Sequence, residues 1–150
     1  LYRMRFTLGA DVLAALTSAH LYVAGLGYAV VTIDGAPLNT LTTAPWTNNA
    51  RVVGFSTYNI TAALSTRSGA TEGMSHESTH EMAIELGHGW RDLKAFPVRD
   101  PADAKRFGQF ERTVRAKLVA TLADGSKRTI THTGDGTWSA AKGPTTYDSV

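Results

Sequence analysis

Apolar and polar residues alternate in short runs along this 150-residue chain, and this two-residue period constrains its fold more than any other feature. The run 2–8 (YRMRFTL) predicts a half-buried strand with Tyr2, Met4, Phe6 and Leu8 facing inward. Alternation, or enrichment in β-branched and aromatic residues, predicts further strands at 20–26, 28–34, 51–60, 80–86, 112–122 and 127–133. Such a series indicates an antiparallel sheet protein.

Turn residues separate several of these strands. Asp34-Gly35 predicts a tight turn at the end of 28–34, and the segment 123–126 (ADGS) predicts a hairpin between the last two strands. The segment 25–27 (GLG) lacks the third glycine of a dinucleotide-binding fingerprint, so we expect it to bend a hairpin between the strands on either side.

Helical signals are short and few. Asp11 is expected to cap a helix over 12–16, and Thr61 is expected to cap a turn over 62–64. The predicted fold class is therefore all-β, an antiparallel β-sandwich with one or two short helical turns. A chain of this length predicts one domain, spanning residues 1–150.

Composition excludes several classes of site. Cysteine is absent, which rules out disulfides, thiolate metal ligands and cysteine nucleophiles. No apolar run approaches the roughly 20 residues of a membrane-spanning helix, so no membrane partner is predicted. Apolar residues make up 43% of the chain and charged residues 19%, which is normal for a globular domain. These features assign no cellular compartment.

The charge of the chain is small and dispersed. Fifteen basic and thirteen acidic residues leave a net charge of +2. The densest basic stretch, 99–117, also contains Asp100, Asp103 and Glu111. A nucleic-acid interface needs a concentrated basic stripe, so no nucleic-acid partner is predicted. We interpret the stretch as a solvated loop and strand face, with anion binding as the alternative.

The segment 76–80 (HESTH) matches the H-E-x-x-H pattern of zinc hydrolases. That chemistry needs a helix, because only a helix places both histidines on one face with the glutamate beside the metal-bound water. The residues that follow His80 alternate as a strand does, which favours a polar loop entering a strand, with exposed histidines. We therefore predict no metal site, keeping His76 and His80 as weak candidates and a zinc metallohydrolase as a distant alternative.

Other catalytic patterns are missing from the sequence. The chain contains no Gly-x-Ser-x-Gly nucleophile elbow. Glycoside hydrolysis needs two closely placed carboxylates, but Asp92, Asp100 and Asp103 are expected on loop surfaces. No catalytic residue is predicted in this chain.

Several short segments recur in a recognisable order. They are 19–28 (AHLYVAGLGY), 32–35 (TIDG), 44–47 (APWT), 57–61 (TYNIT), 86–90 (LGHGW), 122–126 (LADGS), Trp138 and 143–144 (GP). In this order and spacing the chain resembles the N-terminal β-sandwich domain of bacterial-type α-L-rhamnosidases, from about residue 19 to the end. The first strand, 2–8, also fits this domain.

The resemblance implies a jelly-roll-like sandwich, similar to a carbohydrate-binding module, placed ahead of an (α/α)6 catalytic barrel. It also implies that the chain is a fragment of a longer multidomain polypeptide, an inverting glycoside hydrolase acting on terminal α-L-rhamnose. The acid and base carboxylates of the family lie in the barrel, so this chain by itself is expected to be non-enzymatic. Its expected partners are a rhamnose-containing glycan and the catalytic domain of the same polypeptide.

The resemblance also bears on calcium. Some members are similar to rhamnose-binding modules that use calcium, where an Asp-Asn pair follows the Pro-x-Trp-Thr-like segment. Asn48-Asn49 occupies that place here, and the carboxylate is missing. We therefore predict no cofactor and keep calcium as the alternative.

Two clusters have the composition of a sugar site, in which an aromatic plane stacks on the ring and amides or carboxylates bond its hydroxyls. The first is Trp46 with Asn48 and Asn49, and the second is Trp90 with His88 and Asp92. The predicted carbohydrate site consists of Trp46, Asn48, Asn49 and Trp90. The alternative is that these tryptophans fill a core or an interdomain contact, in a domain that is a scaffold without sugar binding of its own.

Overall fold

The fold was determined as a computed structural model, which describes residues 1–25, 28–38, 42–43, 53–65, 77–87 and 113–143. Within these ranges the elements are β1 (Tyr2–Leu8), α1 (Ala10–Ala15), β2 (Leu16–Gly25), β3 (Tyr28–Ile33), β4 (Ala36–Pro37), β5 (Thr42–Thr43), β6 (Ser56–Asn59), α2 (Thr61–Ser65), β7 (Ser78–Leu86), β8 (Val114–Leu122), β9 (Lys127–His132) and β10 (Ser139–Ala140). No described helix is long and apolar enough to cross a membrane.

The described strands form two antiparallel sheets. The first has the order β10-β1-β7-β3-β4, with β5 also paired to β3, and the second has the order β6-β2-β8-β9. Inward-facing side chains of both sheets belong to one apolar core, which makes the chain an antiparallel β-sandwich as predicted. The jelly-roll connectivity stays a prediction, because several of the connecting segments lie outside the described residues.

The core follows directly from the alternation in the sequence. In β1, Met4, Phe6 and Leu8 are buried while the residues between them are exposed, and Tyr2 is partly buried against the core. The alternating strand predicted at 80–86 is confirmed by β7, whose inward residues Met82, Ile84 and Leu86 are at most 5% exposed. Leu21 and Leu118, which are completely buried, contribute from the second sheet.

The predicted turns are confirmed at two sites. Asp34 and Gly35 join β3 to β4 with φ of 52° and 79°, a left-handed pair that suits aspartate and glycine. Segment 123–126 joins β8 to β9, with Gly125 at φ 80°. Gly35 and Gly125 suit these turns because a residue with a Cβ would be strained at a φ near 80°.

The hairpin predicted at 25–27 is wrong. β2 pairs with β6 and β8 in the second sheet, whereas β3 pairs with β4, β5 and β7 in the first. The chain therefore crosses between the sheets at this point. The alternation correctly locates both strands, but strand pairing depends on contacts with segments distant in sequence.

Both predicted helix caps are also wrong in detail. The N-cap of α1 is Gly9, and Asp11 lies in the first turn, where it accepts a hydrogen bond from Arg128 at 3.0 Å. Thr61 is the first residue of α2, and its backbone N–H donates to Asn59 Oδ1 at 3.1 Å. The Thr61 hydroxyl oxygen instead accepts from the Ala19 N–H at 2.9 Å and fixes α2 to β2.

Candidate functional site

The predicted carbohydrate site lies outside the described residues. This holds for Trp46, Asn48, Asn49 and Trp90, and for His76 of the weak metal pair. The carbohydrate-binding role of the tryptophans and asparagines stays a prediction. Much of the basic stretch 99–117 is also outside, although its end, Arg115 and Lys117, lies on the exposed face of β8.

His80 is placed in β7, as the strand alternation requires, but it is not exposed. Its residue exposure is 1%, so the expectation of exposed histidines is wrong for this position. Both ring nitrogens have partners: Nδ1 lies 2.8 Å from Asp34 Oδ2, and Nε2 lies 2.8 Å from Ser78 Oγ. The period of two continues back through His80 and Ser78, which places both polar side chains on the buried face.

Ser78, His80 and Asp34 thus form a linear hydrogen-bonded chain with the same order of groups as a serine-hydrolase triad. With a neutral imidazole, the Asp34 carboxylate accepts from Nδ1–H and Nε2 accepts from the Ser78 hydroxyl. Ser78 is only 7% exposed, however, and the Phe6 ring stacks on His80 with centroids 5.6 Å apart. A nucleophile needs access to substrate, so this chain of hydrogen bonds is structural.

The same carboxylate also fixes the β3–β4 turn to β7. Asp34 Oδ1 accepts the Glu81 backbone N–H at 2.9 Å, and the Asp34 N–H donates to the Glu81 carbonyl at 2.8 Å. Asp34 therefore hydrogen-bonds both to the backbone of β7 and to the buried imidazole of His80, and so fixes the turn to the strand.

An open groove of about 540 Å³ lies on the outer face of the second sheet. Its lining comes from β2, β8, β9 and the residues next to β6 and β9: Tyr22, Ala24, Phe55, Arg115, Ala116, Lys117, Thr129, His132 and Thr133. Strand register explains how these positions meet, since Tyr22 pairs with Lys117, Lys117 pairs with His132, and Ala24 pairs with Arg115. Directly paired residues present their side chains on one face.

Two aromatic rings form one end of this groove. Tyr22 and Phe55 contact each other edge to face, with centroids 5.9 Å apart and planes at 65°. Phe55 is 59% exposed, so most of its ring is available to solvent. Tyr22 is half-buried and supports the Phe55 ring from one side. The exposed apolar area of Phe55 favours binding of a ligand that covers it.

Sequence reasoning missed this groove. The alternation puts Tyr22 in a strand, where it occupies an outward position between the buried Leu21 and Val23. An aromatic residue at an outward strand position is a signal that could have been used. The proximity of Tyr22 to Phe55 could not be predicted from the sequence. It depends on the pairing of β2 with β6, in which His20 lies opposite Asn59 and Val23 lies opposite Ser56.

A compact turn follows β9, directly after the groove residues His132 and Thr133. Asp135 accepts hydrogen bonds from the Thr137 hydroxyl at 2.6 Å and the Thr131 hydroxyl at 2.7 Å, and also from the His132 N–H. These bonds, led by that of Thr137, hold the pKa of the Asp135 carboxyl well below its ordinary value of 3.8. Trp138 packs partly buried against the core and donates its indole N–H to the His132 carbonyl at 3.2 Å.

This turn makes a prediction about pH. Because the folded state lowers the pKa of Asp135, the carboxylate stabilises the fold above about pH 4, and this contribution is lost as the pH falls further. Urea unfolding midpoints of the wild type and Asp135→Asn should therefore differ more at about pH 6 than at about pH 3. A difference that stayed constant between these two pH values would contradict the role assigned to the carboxylate.

Comparison with known proteins agrees with this architecture. The model of the α-L-rhamnosidase N-terminal domain family matches residues 14–150. No curated protein sequence matches significantly. Among solved structures, the chain is similar to an α-L-rhamnosidase from Dictyoglumus thermophilum (19% identity, TM-score 0.66), one from Aspergillus terreus (24%, 0.61), and one from Streptomyces avermitilis in complex with L-rhamnose (22%, 0.62).

Each of these three alignments covers 95% of this chain but only 13%, 15% and 12% of the respective enzyme. At such identities the structural likeness supports the fold, while the family match covers most of the sequence. The part of a rhamnosidase that these residues represent is the N-terminal domain and not the catalytic barrel. The chain belongs to the α-L-rhamnosidase N-terminal domain family.

Proposed function

We propose that this domain is a non-catalytic, carbohydrate-binding part of a larger α-L-rhamnosidase-like glycoside hydrolase. It binds rhamnosyl glycans weakly and keeps them near the catalytic domain of the same polypeptide. The observation that carries this proposal is the open groove on the second sheet, in which the exposed Phe55 ring contacts the half-buried Tyr22 ring. Family membership supports the proposal, as does the occurrence of an L-rhamnose complex in a structurally similar enzyme.

The groove has the chemical requirements for weak sugar binding. A pyranose presents C–H groups on one face and hydroxyls around its edge, so it needs an apolar surface bordered by hydrogen-bonding groups. Tyr22 and Phe55 supply the apolar surface, and Thr129 and Thr133 supply hydroxyls in the same lining. An open groove buries little of a ligand, which favours dissociation constants in the millimolar range, a binding free energy of about −4 kcal/mol.

Replacing Phe55 with alanine should weaken L-rhamnose binding about fivefold, because one exposed ring contributes roughly 1 kcal/mol to such a contact. Calorimetric or NMR titration with methyl α-L-rhamnoside measures this change. Val53→Ala is the matched control, since Val53 is also exposed (43%) but does not line the groove. Equal affinities of wild type and Phe55→Ala would contradict binding at the groove.

The predicted site at Trp46 is tested in the same titration. If Trp46→Ala abolishes binding while Phe55→Ala has no effect, the sugar binds at the Trp46, Asn48 and Asn49 cluster instead of the groove. Repeating the titration with calcium and with a chelator tests the calcium alternative for that cluster. A rhamnosidase assay on this chain should give no turnover.

The second candidate function is an interdomain scaffold. The exposure of Val53 and Phe55 favours it, because exposed large apolar residues are also what a neighbouring domain would cover. Absence of any binding by the folded wild-type chain at about 50 mM sugar, well above the millimolar range expected, would contradict the proposed function and favour the scaffold.

A further inference from the structure

We infer that the groove on the second sheet recognises a sugar that carries a carboxylate, such as a uronic acid residue of an acidic glycan. This inference rests on the proposed carbohydrate-binding function and names the ligand class of the same groove. The Tyr22–Phe55 pair would hold the apolar face of the ring, and the cations beside it would hold the acid group.

Three basic side chains line the groove, and they are adjacent to the aromatic pair. Lys117 on β8 lies between Tyr22 on β2 and His132 on β9 in a single line across the sheet. Arg115 is two residues before Lys117 on the same exposed face of β8, opposite the short side chain of Ala24. Neighbouring strands are about 4.8 Å apart, so one ring stacked at Tyr22 brings a substituent within reach of Lys117.

Among the residues that the structure describes, no acidic side chain contributes to the groove lining. The closest acidic residue in sequence to His132 is Asp135, and its carboxylate already accepts from Thr137, Thr131 and the His132 N–H. Elsewhere on the surface Arg5 pairs with Glu81 and Arg128 pairs with Asp11. Within the described ranges no such ion pair involves Arg115 or Lys117.

The charge of the groove and the kinds of side chain that line it together indicate the ligand class. Two cations at positions i and i+2 of one strand face repel each other, and an anion between them removes that repulsion. Arginine and lysine bind carboxylates through charge-assisted hydrogen bonds, which are stronger than those to neutral hydroxyls. A simple anion would leave the Tyr22–Phe55 rings and the threonine hydroxyls unused, whereas an acidic sugar contacts all three kinds of group.

The matched probes D-galacturonic acid and D-galactose test this inference, because they differ only at C6, which is a carboxylate in the first and a hydroxymethyl group in the second. Titrated at low ionic strength, the wild-type chain should bind galacturonate about fivefold more tightly than galactose. Arg115→Gln and Lys117→Gln should each reduce this preference for galacturonate over galactose to about twofold or less. Lys127→Gln is the control, since it removes an exposed cation of β9 that does not line the groove.

The outcomes separate this inference from the proposed function. Rhamnoside binding at the groove with no preference for galacturonate would overturn the inference and leave the proposed function intact, whereas binding of no sugar would refute both. Competition by acetate as effective as that by galacturonate would also overturn the inference, since it would show an anion contact without sugar recognition. A preference for galacturonate that persists in about 0.5 M salt and in both glutamine variants would show that the cations do not recognise the acid.

Discussion

Replacing His80 with alanine should lower the free energy of unfolding by about 3 kcal/mol. The imidazole is buried, with side-chain exposure of 0%, and the Asp34 side chain beside it is 13% exposed. Truncation removes the partner of a largely buried carboxylate oxygen, leaves the Ser78 hydroxyl without its acceptor, and opens a cavity against Phe6. Urea unfolding followed by tryptophan fluorescence measures the change.

Two further variants make this prediction specific. His132→Ala removes an exposed imidazole and should change stability by less than about 0.5 kcal/mol. Asp34→Asn should cost less than His80→Ala, about 1 kcal/mol, because asparagine tolerates the positive φ and retains an acceptor for the Glu81 N–H. A loss below about 1 kcal/mol in His80→Ala would show that the hydrogen-bonded chain is not a stabilising element, contrary to its burial.

Leu118→Ala should have an effect of similar size, also about 3 kcal/mol. Leu118 is completely buried at the centre of the second sheet, where β8 pairs with β2 on one side and β9 on the other. Leu118 pairs with Leu21 of β2 and with Thr131 of β9, although the β8–β9 register shifts directly after it. Pairing on both sides holds the backbone in place, so the core cannot collapse readily into the space that the isobutyl group leaves. Chemical denaturation with an unchanged m-value identifies the loss as one of stability alone.

The adjacent residue supplies the matched control. Lys117 precedes Leu118 in β8 and points to the exposed face, so Lys117→Ala should change stability by less than about 0.5 kcal/mol. Leu118→Ala and Lys117→Ala together therefore test whether buried and exposed side chains alternate along β8. Comparable losses in both would contradict the assignment of one face of β8 to the core and the other to solvent.

Much of the fold was predictable because strands with one buried face carry their own signal. The bounds of β1 match the predicted run 2–8, and β8 and β9 lie within 112–122 and 127–133. The turn at Asp34-Gly35 was predictable for a local reason, since few residues other than glycine, asparagine and aspartate accept a positive φ. Each of these features depends on residues that are close together in the sequence.

The errors arose where distant segments decide the structure. Segment 25–27 resembles a hairpin bend, but β2 and β3 find their partners in different sheets. His80 was expected in solvent because its polar neighbours suggested a loop, whereas Asp34, 46 positions away, supplies the partner that allows its burial. The strand predicted to follow the H-E-x-x-H segment is confirmed, and β7 includes His80 itself.

The sequence by itself determined the all-β class, most strand positions, two turns and membership of the rhamnosidase N-terminal domain family, because periodicity and ordered motifs are properties of the chain alone. Only the tertiary structure decided that Ser78, His80 and Asp34 form a buried chain, and that Tyr22, Phe55, Arg115 and Lys117 share one groove. The physical reason is that strand register, which sets these neighbours, is fixed by pairing between segments up to about a hundred residues apart, such as β2 and β8.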